Sequence, residues 1–176
     1  MDLSTEELAG RLKAAAEGSL YFFAREVIGN EYIVPHVHGE IAKWLNSEER
    51  LRERSFGGVK LRAKLCLLMI PRDSLKSTFV SSIYPLWRAV KDPNLRILID
   101  SEGRDLSKAI LKGVKGLIDN CELLKIIWGD LSGASKGNTW NLESIRLASR
   151  TDYKAKEATV ETSGIDVAVT GRHYNI

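Results

Sequence analysis

Lys64-Leu65-Cys66-Leu67-Leu68-Met69-Ile70, then Pro71-Arg72-Asp73-Ser74-Leu75-Lys76-Ser77-Thr78, then Phe79 to Val90, is the stretch on which the fold turns. Its apolar run predicts a buried strand, its polar centre a tight loop, and its tail a helix. Strand, loop, Lys-Ser/Thr and helix, in that order, is the arrangement of a phosphate-binding loop. A helix N-terminus offers unpaired backbone N–H groups and a partial positive charge, both suited to a phosphate. In that reading Lys76 reaches the β- and γ-phosphates and the Ser77 hydroxyl serves Mg²⁺.

The pattern G-x-x-x-x-G-K-[ST] is not met in full. Ile70 and Leu75 stand at its two glycine positions. Glycine suits such loops because it accepts φ > 0 and lets a ligand approach the backbone. The plain alternative is a strand-to-helix turn whose lysine faces solvent, and the stretch alone leaves both open.

Working outward, 176 residues predict one domain with enough chain for a core. A hydrophobic content of 44% and a charged content of 28% fit a soluble globular protein. A net charge of +3 is compatible with nucleic-acid contact without arguing for it. Cys66 and Cys121 match no metal spacing and are expected to be reduced. No apolar run reaches the roughly 18 residues of a membrane span, and the acidic N-terminus lacks a signal-peptide core.

Upstream, Ser4 and Glu7 form a capping-box pattern for a helix to Ala16. Gly18-Ser19 breaks it, a second helix runs from Leu20 to Ile28, and Pro35 leads into a third with Ile41, Trp44 and Leu45 on one face. His36 and His38, two apart, do not face each other on a helix and predict no metal site. His36 is the better candidate for a structural or base-stacking role. Ser47 to Gly58 carries mixed charges and reads as a solvated helix end and loop.

Downstream, Leu95 to Asp100 predicts a second buried strand, and Asp105 to Ile118 a helix with Leu106, Ile110, Val114, Leu117 and Ile118 inward. Trp140 to Ala148, Ala158 to Thr162 and Val167 to Val169 read as strands, with turns at Gly164 and Gly171. The alternation from Leu61 onward predicts an α/β protein with mostly parallel strands flanked by helices. Residues 1–58 are expected to form an N-terminal helical lead-in and residues 59–176 an α/β core. Lys108, Lys112 and Lys115 share a helix face, which is more often merely solvated than a DNA contact.

Together these residues resemble the N-terminal ATPase domain of the large terminase subunit of tailed bacteriophages. Pro71-Arg72-Asp73-Ser74-Leu75-Lys76-Ser77-Thr78 is similar to the family's Pro-Arg-Gly-x-x-Lys-Ser-Thr loop, with Asp73 replacing its glycine. Pro35-His36-Val37-His38-Gly39-Glu40 looks like the segment near the adenine, which puts His36 on the adenine side. Arg96 to Ser101 looks like the second strand. Lys156 to Val160, Ser163-Gly164 and Val169 to Asn175 are similar to the stretch preceding the Walker B strand.

The resemblance implies a P-loop NTPase (ASCE-like) sheet, incomplete at the C-terminus, with ATP and Mg²⁺ as cofactors. It implies that Pro71 to Thr78 bind nucleotide, that Ser77 meets Mg²⁺, and that Lys76 and Arg72 are catalytic, Arg72 as a cis arginine finger. Its partners are double-stranded DNA, the small terminase subunit and the procapsid portal, with a homo-oligomeric ring in the full-length protein. The location implied is the host cytoplasm, transiently at the portal. The family's Walker B acids and nuclease domain lie beyond Ile176, so residues 1–176 alone are expected to hydrolyse ATP very slowly or not at all. Two other readings stand beside this one: a different nucleic-acid-dependent ATPase such as a helicase, and an inert short product acting through protein contacts.

Overall fold

The computed structural model describes residues 4–46, 53–56, 59–62, 67–165 and 171–176. Helix α1 (Thr5–Gly18) starts as the capping box requires, with the Ser4 hydroxyl accepting from the Glu7 amide and the Glu7 carboxylate accepting from the Ser4 amide. Ser19 caps α2 (Leu20–Phe22), which continues as a widened turn over Phe23–Val27. A second widened turn, Pro35–Gly39, leads into α3 (Glu40–Asn46). Strands β1 (Glu53–Phe56) and β2 (Val59–Arg62) pair as an antiparallel hairpin, where the charge pattern predicted a helix end and loop.

Beyond the phosphate-loop candidate, the widened helix Ser77–Ile83 runs into α4 (Tyr84–Lys91). Then follow β3 (Ile97–Ser101), α5 (Arg104–Asn120), α6 (Glu122–Trp128), a 3₁₀ turn at Gly133–Lys136, β4 (Ser144–Ile145) and β5 (Val160–Gly164). The core gathers Leu20, Phe23 and Ile33 with Phe79, Ile83, Trp87, Leu111, Ile118 and Leu124, all nearly inaccessible. Burying each such side chain contributes roughly 1.5–3 kcal/mol. Two directed contacts fix the N-terminal helices on it: the Trp87 indole donates to the Ala16 carbonyl at 2.8 Å, and Phe23 meets Trp128 edge-on at 5.8 Å.

The α/β mixture stands, but the mostly parallel P-loop NTPase sheet does not. The sheet formed by β3, β4 and β5 has three strands in the order β3-β5-β4, parallel between β3 and β5 and antiparallel between β5 and β4. Three local causes account for the difference. Leu67 to Ile70 forms no ladder: Leu68 and Ile70 rest on the core, whereas Leu67 and Met69 are 82% and 80% exposed. The rest of that expected strand, including Cys66, lies outside the described residues, as does Val167 to Val169.

Second, the predicted strand Trp140 to Ala148 is mostly turn. The Asn141 side-chain carbonyl accepts from the amides of Glu143 (2.8 Å) and Ser144 (2.7 Å), leaving two residues for the ladder and a bridge from Trp140 to Ile145. Third, α5 lies between the sheet and the helix after the loop, packing on both. Its inward face is Ser107, Leu111, Val114 and Ile118; Leu106, expected inside, is exposed. The Ser107 hydroxyl is at home there because it donates to the Ser163 carbonyl at 2.7 Å.

Candidate phosphate-binding site

The loop from Pro71 to Thr78 curls around an open cleft of about 440 Å³ lined by those eight residues. Its internal brace is the Ser74 hydroxyl, which donates to the Pro71 carbonyl at 2.7 Å. Asp73 (φ 63°) and Leu75 (φ 53°) both occupy the left-handed region, and they are the only non-glycine residues among those described that do so. That conformation costs an ordinary L-residue roughly 1–2 kcal/mol. Leu75 stands where the general pattern has its second glycine, and Asp73 where the terminase-like form keeps one. The loop therefore takes the glycine backbone without the glycines.

The helix opens at Lys76, whose φ of −50° and ψ of −51° are already helical. The Phe79 amide closes the first turn on the Leu75 carbonyl at 2.8 Å. The amides before it belong to the first turn, which has no intrahelical acceptors for them. Arg72, Lys76, Ser77 and Thr78 are all exposed on the cleft. Among the described residues, neither Arg72 nor Lys76 holds an ion pair or a side-chain hydrogen bond, so the surface pairing of Arg72 with Asp73 or Asp100 is not formed.

The two histidines exchange the emphasis that the sequence put on them. His36 is exposed, whereas His38 is buried at 3% and reaches the loop. The Val34 amide donates to His38 Nδ1 at 3.1 Å, and His38 Nε2 lies 3.0 Å from the Ser74 carbonyl. The Phe79 ring stands edge-on to the imidazole at 5.2 Å. The signal for His38 was present in the sequence: in a helix entered at Pro35 it shares the i, i+3, i+7 face with the buried Ile41 and Leu45. Beside it a second cleft of about 360 Å³ is lined by Tyr32, Val34, Val37, His38 and loop residues Asp73 to Leu75.

The described residues of the block Lys156 to Asn175 gather around two buried carboxylates, Glu157 and Glu161. Glu161 accepts from the Ala158 amide (2.6 Å), Arg172 (2.6 Å) and the Tyr174 hydroxyl (2.7 Å). Glu157 accepts from the His173 amide at 2.8 Å, which, with the nearby Arg96, holds its carboxyl below the usual range. Burial and the bond to Glu161 push the Tyr174 phenol upward. The last residues then join the outer edge of β3: Ile176 accepts from the Leu98 amide at 2.9 Å, and Asn175 donates from its amide to the Arg96 carbonyl at 2.7 Å.

Two of the three α5 lysines have intramolecular work. Lys108 pairs with Glu143 at 2.8 Å, and Lys115 donates to the Asn141 carbonyl at 3.3 Å while lying over the Trp140 ring. Lys108 and Arg104 hold the Glu143 carboxyl below its usual range. Lys112 is exposed.

Mg²⁺ beside phosphates keeps several waters and takes few protein oxygens; the protein oxygen that the loop offers at the helix start is the exposed Ser77 hydroxyl. Among the described residues no group of three or more His, Cys, Asp or Glu gathers as a cage independent of a nucleotide. No helix among them is long and apolar enough to cross a membrane. Comparison of the chain with protein-family models, with curated proteins and with solved structures returns no match.

Proposed function

We propose that the chain is the nucleotide-binding part of an ATP-driven motor that packages double-stranded viral DNA, resembling the large terminase subunit. The observation that carries the nucleotide half of this reading is the loop itself: left-handed backbone at Asp73 and Leu75, then Lys76 and Ser77 opening a helix on a solvent-filled cleft. A triphosphate laid in that cleft meets backbone amides of the first turn, and the Lys76 ammonium supplies a positive charge to the β- and γ-oxygens. Arg72, without a carboxylate partner among the described residues, spreads a planar fork of donors toward the γ-phosphate, where charge grows as the terminal bond breaks. The Ser77 hydroxyl would help hold a Mg²⁺ ion arriving with the nucleotide, and that ion would supply positive charge against the phosphates.

The motor half rests on the terminase-like segments of the sequence, with double-stranded DNA, the small subunit and the portal as partners and the host cytoplasm as location. The sheet adds nothing to it. Calorimetric titration with Mg·ATP tests the nucleotide half. Saturable binding by the wild-type chain, lost by at least tenfold in Lys76→Ala with unchanged circular dichroism, supports it. No binding, or equal binding by Lys76→Ala, overturns it. Turnover by this chain that Lys76→Ala abolishes would contradict the expectation of slow or absent hydrolysis while supporting the nucleotide site.

A further inference from the structure

The feature that calls for a cause is a glycine conformation held by leucine. Ser74 sits between the two left-handed residues, so the peptide joining Ser74 to Leu75 is the plane on which the loop geometry turns. Rotating that plane by half a turn changes ψ of Ser74 and φ of Leu75 together, the relation that separates paired turn types. For leucine the rotation is downhill, because it carries φ from the left-handed to the ordinary region. Something has to oppose it.

We propose that His38 is a positioning residue that locks the Ser74–Leu75 peptide in the phosphate-receiving orientation, replacing the conformational freedom that glycine would supply. The proposal rests on the nucleotide-binding reading for its consequence, though not for its geometry. The Val34 amide at 3.1 Å from Nδ1 is a donor, so Nδ1 is the acceptor and the proton of the neutral imidazole sits on Nε2. Nε2–H then donates to the Ser74 carbonyl at 3.0 Å. A trans peptide points its N–H opposite its C=O, so anchoring that carbonyl at His38 turns the Leu75 amide away from the imidazole.

The anchor is itself immobile. His38 is 3% exposed, its ring is fixed from both nitrogens, and the Phe79 ring abuts it from the first turn of the loop helix. The contact spans 36 residues, tying the Pro35–Gly39 turn to the loop. A flipped peptide would leave a buried Nε2–H without an acceptor and face the imidazole with a second donor, both unfavourable in a desolvated position. The lock therefore acts through the loop and touches no phosphate.

The test compares His38→Gln, whose amide nitrogen reaches the Nε2 position, with His38→Asn, which reaches only the Nδ1 position. The three-bond HN–Hα coupling and ¹⁵N shift of Leu75 are measured by NMR as reporters of its φ, and inorganic pyrophosphate is titrated as the probe. Expected is near-wild-type behaviour for Gln, and for Asn a Leu75 coupling moved toward that of extended backbone and pyrophosphate binding weaker by about tenfold, the scale of one left-handed residue's strain. Adding Leu75→Gly to His38→Asn should recover most of that loss, since glycine needs no lock; a merely structural role would show no such rescue.

An unchanged Leu75 coupling in His38→Asn, or a double variant no better than His38→Asn, overturns the proposal. Should neither histidine variant fold, the ¹⁵N shifts of the wild-type imidazole decide: an Nε2–H tautomer supports the lock and an Nδ1–H tautomer refutes it. A wild-type chain that ignores pyrophosphate refutes the phosphate reading alone, leaving the Leu75 coupling to judge the lock.

Discussion

Asp73 and Leu75 flank Ser74 with φ of 63° and 53°, so two successive glycine-like turns are made by an acid and a leucine. The two differ in what holds them there. Leu75 is half-buried and packs on the core, whereas Asp73 is exposed, and aspartate tolerates this region better than most side chains.

Asp73 also sets a negative charge beside the place proposed for a polyphosphate, and its substitution separates charge from backbone. Asp73→Asn keeps the left-handed tolerance and removes the charge; Asp73→Gly removes charge and strain together. Both are expected to tighten Mg·ATP binding, by several-fold to about tenfold, roughly 1 kcal/mol. Only Gly should also change the melting temperature through the backbone. Calorimetry and thermal melts on the two variants check this.

A different carboxylate governs the end of the chain. Glu161 is the acceptor for Arg172, Tyr174 and the Ala158 amide at once. Glu161→Ala strands the Ala158 amide and the Tyr174 hydroxyl, and about 1–3 kcal/mol of destabilisation is expected. The local readout is faster exchange of the Leu98 amide, which donates to Ile176.

The same clasp carries a pH dependence whose direction follows from Glu157. Its folded pKa lies below the ordinary 4.5, chiefly because the His173 amide donates to it. The unfolded chain therefore takes up the proton first as pH falls. The associated stabilisation is complete above about 4.5 and is lost as acid carries the pH through the lower folded value. Glu157→Gln should flatten that part of the stability curve, measured by urea melts between pH 6 and 3.

Gly133 yields the sharpest steric prediction. A Cβ there would fall 1.9 Å from the Arg146 carbonyl oxygen, a backbone atom. Gly133→Ala is expected to destabilise by about 3 kcal/mol or more, because the 3₁₀ turn must part from the segment after β4. Gly10→Ala, with nothing near its Cβ, should not destabilise and serves as the control.

Helix positions were legible in the sequence because their signals are local. The Ser4/Glu7 box, the Ser19 break and the Pro35 entry each act within one turn. Sheet pairing was not, since the apolar run before Pro71 looks the same whether Leu67 and Met69 find a ladder or face solvent. Strand length failed at Asn141 for a nameable reason, a side chain that outcompetes the ladder for two amides. At the site, spacing singled out Pro71 to Thr78 as a candidate but not the left-handed backbone of Asp73 and Leu75, and His36 was preferred over His38 because a motif position outweighed the helical period that put His38 inside.

The bond from Trp87 to Ala16 bridges 71 residues, and it bears on the order in which the molecule assembles. Helix α1 can gain its cap early, but it docks on α6 and, through Ala16, on Trp87, and closing such long segments adds an entropic barrier before the contacts reward it. During synthesis the first helices wait, partly formed, until the chain has passed Trp128. They then dock late, and a refolding experiment should find Trp87 fluorescence among the slow signals.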